Sequence, residues 1–165
     1  MEQENKEIKY AGFWLRVAAY LIDSLVMSAG GLLIAIPVII GIVGFAVGLE
    51  GVENPEDFLE SGRWMYVGGI IGLILLASLL GLVMGWLYYA LMESSKYGGT
   101  LGKIAVGIKV VDMNGNKVTF GKATGRYFSR IVTNMTLFVG YIMAGFTEKK
   151  QALHDIIAGC LVITR

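Results

Sequence analysis

Two long runs of the chain, Val17 to Leu49 and Trp64 to Met92, contain one charged side chain between them, Asp23. Each is longer than the roughly 20 apolar residues a helix needs to cross a bilayer core. A 165-residue chain that is 55% hydrophobic, with a mean hydropathy of +0.64, cannot hide both runs inside a water-soluble core. The fold class expected is therefore a membrane all-α protein, one domain over residues 1–165, held together by helix packing in lipid. The net charge of +1 gives no general attraction to nucleic acid.

Asp23 carries the strongest constraint. A carboxylate in hydrocarbon costs on the order of 2.5–3.5 kcal/mol on insertion scales, so it must face protein, water or a cation. Arg16 precedes it by seven residues, which returns to nearly the same helical face. Lys9, Tyr10, Trp14, Arg16 and Tyr20 give this region the basic and aromatic character of a membrane interface. The polar leader 1–10 mixes Glu2, Glu4 and Glu7 with Lys6 and Lys9, and the apolar run after it is far longer than a signal core, so the first helix is expected to remain as an anchor. Pro37 predicts a kink in it.

Charge sidedness sets the topology. The connection 50–63 holds Glu50, Glu53, Glu56, Asp57 and Glu60 against Arg63 alone, whereas the segment 93–130 holds Lys96, Lys103, Lys109, Lys117, Lys122, Arg126 and Arg130 against Glu93 and Asp112. The excess of Lys and Arg predicts that 93–130 is cytoplasmic, the acidic loop outer and the N-terminus cytoplasmic, in a multi-pass protein of the plasma membrane. Within the basic segment, Ile108 to Asp112 and Lys117 to Phe120 flank Asn114-Gly115, which predicts a small cytoplasmic β-hairpin or sheet.

The third apolar stretch, Ile131 to Phe146, is short for a span and basic on both flanks. One expectation is a re-entrant element that turns near Gly140, with Cys160 to Thr164 adding a strand to the sheet; the other is a third crossing that places the C-terminus outside. The glycine pairs Gly44 with Gly48, Gly68 with Gly72 and Gly81 with Gly85 suggest close helix packing within the subunit.

The blocks AGFWLRVAAYLID (Ala11 to Asp23), GGTLGKIAVGIKVVDMNGNKVTFGKA (Gly98 to Ala123) and KKQALHDIIAG (Lys149 to Gly159) occur in the order that resembles the RDD family of membrane proteins. That family is named for one arginine and two aspartates. The resemblance implies that Arg16 is the arginine and Asp23 the first aspartate, with Asp155 preferred over Asp112 as the second. Asp112 has a local role before Asn114-Gly115, as a turn-initiating residue. For function the resemblance implies transport of a solute, some members having been linked to sodium and proton exchange.

The candidate site is a charge cluster of Arg16, Asp23, Asp155 and Glu93, able to carry a monovalent cation or proton or to act as a structural lock. Arg126 and Arg130, four apart on one helical face, suit lipid phosphate or pairing with those acids. His154 lacks a companion nucleophile motif, and Gly98 to Lys103 fails as a phosphate loop because no Ser or Thr follows the lysine. Lone Cys160 excludes an intramolecular disulfide and is expected to be a buried apolar residue. No metal, cofactor or enzymatic activity is expected. The expected partners are the lipid bilayer and a second copy or another membrane protein. The leading expectation is an ion or small-solute translocator, and its rival is a membrane scaffold or accessory subunit that binds anionic lipid or a protein.

Overall fold

The computed structural model describes residues 8–48, 56, 62 and 64–165, so most of the leader 1–10 and of the acidic loop 50–63 lies outside the described residues. The chain divides into two compact units, Met1–Leu25 with Gly85–Arg165, and Val26–Met84. Two long helices, α1 (Phe13–Gly48) and α2 (Trp64–Glu93), contribute to both.

The unit Val26–Met84 holds the bilayer-spanning portions. Its share of α1 rises roughly 34 Å at 1.5 Å per residue, against a hydrocarbon core of about 30 Å. The first turns of α1, with Arg16 and Asp23, are therefore not needed for the crossing. Leu33 is 76% exposed and Leu82 67%, an outward apolar surface suited to lipid tails. Pro37 lies inside α1 without ending it. A Cβ built on Gly44, Gly68, Gly72 or Gly81 meets nothing within 4 Å, so these four positions do not mark close backbone packing among the described residues, whereas Gly85, the partner of Gly81, is buried.

The other unit is built around a small sheet. After α2 come α3 (Leu101–Ala105), β1 (Ile108–Asp112), α4 (Phe120–Met135), α5 (Val139–Ile142), a 3-10 turn (Met143–Gly145), α6 (Leu153–Ala158) and β2 (Cys160–Thr164). Strands β1 and β2 pair antiparallel with Val110 opposite Val162, and both side chains are buried. Backbone bonds from Ala11 N–H to the Val162 carbonyl (2.8 Å) and from Thr164 N–H to the Lys9 carbonyl (2.9 Å) lay the N-terminal segment along the far edge of β2. Ala11, Ala19, Ala90, Ile108, Val118, Ala123 and Cys160 complete the core beneath it.

The sheet is thus formed between distant segments. The local hairpin is reduced to a single bridge between Val111 and Lys117, because Thr119 caps α4 by accepting from Lys122 N–H, and Phe120 already belongs to that helix. The third crossing is excluded for a similar reason. β2 pairs with β1 and with the residues preceding α1, so the chain's C-terminal strand lies beside its N-terminal segment. Between α4 and α5, Leu137 (φ 49°) and Phe138 (φ 70°) adopt the left-handed region and break the Ile131 to Phe146 stretch into short pieces.

Candidate functional site

Five helices deliver charged groups to one buried network. From α1, Arg16 donates Nη1–H to Asp155 Oδ2 (2.6 Å), Nη2–H to the Lys150 carbonyl (2.7 Å) and Nε–H to the Ala11 carbonyl (3.1 Å). Asp155 sits in the first turn of α6, where its Oδ2 also accepts the Ala152 N–H (3.1 Å). A carboxylate at a helix start satisfies a backbone donor that would otherwise lack a partner.

Arg126 of α4 lies at the centre. Its Nε and Nη2 reach Asp155 Oδ1 at 2.8 and 2.7 Å, and its Nη1 reaches Glu93 Oε1 at 2.6 Å. Glu93, the last residue of α2, also accepts from Lys103 of α3 (2.5 Å) and Arg130 of α4 (3.3 Å). Arg130 stacks over the Tyr89 ring, 4.1 Å from its centroid. Arg126 is 1% exposed and committed to two carboxylates, so it is not available to a lipid phosphate. For this residue, pairing with the acids replaces the lipid role.

Four cationic side chains meet two carboxylates here. That imbalance and the burial determine the ionisation. Burial pushes the Asp155 carboxyl up, but Arg126 and Arg16 outweigh it and hold the group below the ordinary carboxylate range. Burial pushes the Lys103 ammonium down to about 8, opposed by Glu93 and reinforced by Arg126 and Arg130. His154 is pushed down to about 2, by burial first and then, against the pull of Asp155, by Arg126, Arg130 and Arg16. It is therefore neutral, and its 3.5 Å approach to Asp155 is not an ion pair.

Asp23 stands apart from this network. It is 1% exposed and accepts from Tyr88 Oη–H (2.8 Å) and Gly102 N–H (2.8 Å) at Oδ1, and from Thr100 Oγ1–H (2.5 Å) at Oδ2. Arg16, Ala19 and Asp23 do share one helical face, as their spacing requires. Yet Arg16 turns to Asp155 and Asp23 to neutral donors, so the sequence-level cluster divides into two sites. Gly102 makes the second site possible: a Cβ there would overlap the Ala19 carbonyl oxygen.

Asp112 is placed as the turn residue its surroundings suggest, its Oδ1 accepting from Asn114 N–H (2.9 Å) and Asn116 N–H (2.8 Å). It does not join Arg16. Sequence reasoning passed over Tyr88, Thr100, Gly102 and Lys103. Three of these lie in the Gly98 to Lys103 run, which fails as a phosphate loop and reads as a glycine turn between the second helix and the sheet; their signal was its place in the second of the three blocks.

Residues 10–159 match the RDD family. The chain is 37% identical over 155 residues to "Uncharacterized protein YxaI" of Bacillus subtilis (strain 168), covering 94% of this chain and 97% of that relative. It is 30% identical over 160 residues to "Uncharacterized membrane protein YteJ" of the same organism, covering 93% of this chain and 80% of that relative. No solved structure matches it. The match over almost the whole chain, with two helices long and apolar enough to cross a bilayer, establishes that this chain is a membrane protein and belongs to the RDD family.

Proposed function

We propose that this protein is a plasma-membrane scaffold or accessory subunit, not an enzyme. Its N-terminus and sheet lie on the cytoplasmic side, and a basic face there meets anionic lipid or a protein partner, a second copy included. The observation that carries the reading is the ion network itself. It ties α1, α2, α3, α4 and α6 together, and among the described residues no buried side-chain nitrogen or oxygen is left without a hydrogen-bond partner. Carboxylates already neutralised by arginine and lysine are poor carriers for a moving cation, and their geometry suits a lock that fixes the helix ends to the sheet. The orientation rests on the surplus of Lys and Arg in 93–130.

A second reading, movement of a monovalent cation or proton, is favoured by one observation. Asp23 is a buried carboxylate whose described partners are all neutral, so its proton or a small cation is not already replaced by an arginine. The two readings part in proteoliposomes under sodium, potassium and proton gradients. The scaffold reading expects no flux above protein-free vesicles. Flux that Asp23→Asn abolishes, in a variant with the parent's thermal midpoint, overturns it in favour of transport.

A further inference from the structure

The segment between α4 and α6 turns its apolar side chains outward. Leu137 is 83% exposed and Phe146 86%, with Phe138, Val139 and Ile142 also exposed. Holding two non-glycine residues in the left-handed region costs on the order of 1 kcal/mol each, yet here it serves to present apolar groups and not to bury them. Water does not reward such a surface.

Beside it lies a groove of about 410 Å³ walled by Phe13, Trp14, Ile142, Gly145 and Phe146, with the exposed Lys150 among its lining residues. Trp14, 79% exposed, belongs to the first turn of α1, the helix whose later residues are long and apolar enough to cross a bilayer. Lys150 is fixed in place through its backbone. Its φ is 47°, its N–H donates to the Thr147 carbonyl (2.9 Å), and its own carbonyl accepts from Arg16 (2.7 Å). Its side chain lies over Gly12, with Nζ 3.8 Å and Cδ 3.9 Å from where a Cβ on that residue would be.

We propose that this groove seats one acidic phospholipid of the surrounding bilayer, its acyl chain against Trp14, Ile142 and Phe146 and its headgroup phosphate at Lys150 Nζ. The segment 135–146 is then a shallow wedge in the leaflet that α1 enters. Apolar walls match an acyl chain, a cation at the interface matches a phosphate, and Arg16 is a positioning residue for that cation. The inference rests on the reading that this face meets lipid, and it names the ligand.

Fluorescence of Trp14 tests it, in full-length Trp64→Phe/Trp86→Phe protein reconstituted with a small fraction of brominated-chain phosphatidylglycerol or, at the same fraction, brominated-chain phosphatidylcholine. A lysine near a membrane surface contributes enough to enrich the acidic lipid about fivefold, so brominated phosphatidylglycerol is expected to quench more strongly. Lys150→Gln removes the preference, and Lys149→Gln keeps it. Equal quenching by the two lipids overturns the site while leaving the membrane-facing reading intact; quenching by neither overturns both. A preference lost equally in Lys149→Gln also overturns the site, because it reports general basic attraction. Native mass spectrometry of the unaltered chain against its Lys150→Gln variant provides the same contrast without tryptophan substitutions. Retained phosphatidylglycerol is expected to fall about fivefold, and unchanged retention overturns the site.

Discussion

At the scale of single residues, Asp155 and Asp112, the two candidates for the family's second aspartate, do different work. Asp155 is buried among Arg16, Arg126 and the Ala152 N–H, so Asp155→Asn leaves two guanidinium groups facing a neutral amide. Breaking a buried ion pair by removing one partner costs about 3–5 kcal/mol. Asp112→Asn keeps an oxygen that can accept from Asn114 and Asn116, and the cost expected is within about 0.5 kcal/mol. Denaturation of the two variants in the same detergent checks the contrast. Gly102→Ala is the second residue-level prediction. The new Cβ overlaps the Ala19 carbonyl, and because that atom is helix backbone it cannot rotate away. A loss of about 1–3 kcal/mol is expected in the same assay, with Gly121→Ala, where space is open, as the neutral comparison.

The pairing of Arg16 with Asp155 could not be read from local spacing. Two residues seven apart share a helical face, but the face says nothing about which group arrives from 139 residues away. Only the ordered family blocks pointed to Asp155, and they did not say that Arg126 stands between the two carboxylates. Arg126 was legible as a basic residue on an amphipathic helix. Its burial depends on α6 packing against α4, a tertiary fact.

At the scale of elements, the apolar runs gave α1 and α2 with little ambiguity, because in lipid a backbone must satisfy its own hydrogen bonds. The β-structure was harder. Asn114-Gly115 correctly marks a turn, but the capping hydroxyl of Thr119 starts a helix immediately after it, and the strand partner comes from the C-terminus. The short helices α3 and α6 carry the titratable part of the network, and their pH response has a definite sign. Lys103 binds its proton less tightly folded (about 8) than at its ordinary 10.5, so the unfolded chain holds more protons between those values. Its contribution to stability therefore rises with pH across that window. His154 titrates at about 2 when folded against an ordinary 6.5, and Asp155 is also depressed. Both make the folded state lose stability as pH falls, His154 from about 6.5 and Asp155 from about 4 downward. A thermal-melt series from pH 4 to 10 should therefore rise from the acid side, and His154→Gln should flatten the portion between pH 6.5 and 4. A flat parent profile over that acid range would contradict the assignment of a buried neutral histidine.

At the scale of the molecule, the division of labour is between a span that is apolar on its surface and a sheet-centred unit whose interior is charged. Each half violates the usual soluble pattern in the opposite direction. The exposed leucines of Val26–Met84 are explained by lipid, and the buried ions of the other unit by mutual pairing. Because ion pairs are directional, they specify which helix ends meet, a task that apolar contacts in lipid perform poorly. The role of Arg126 is to hold this arrangement together. Its most direct test is the thermal midpoint, in lipid nanodiscs, of Arg126→Gln against Lys122→Gln, an exposed lysine on the same helix. A fall of about 10 °C is expected for Arg126→Gln and a change within about 2 °C for Lys122→Gln. Equal midpoints for the two variants would contradict it.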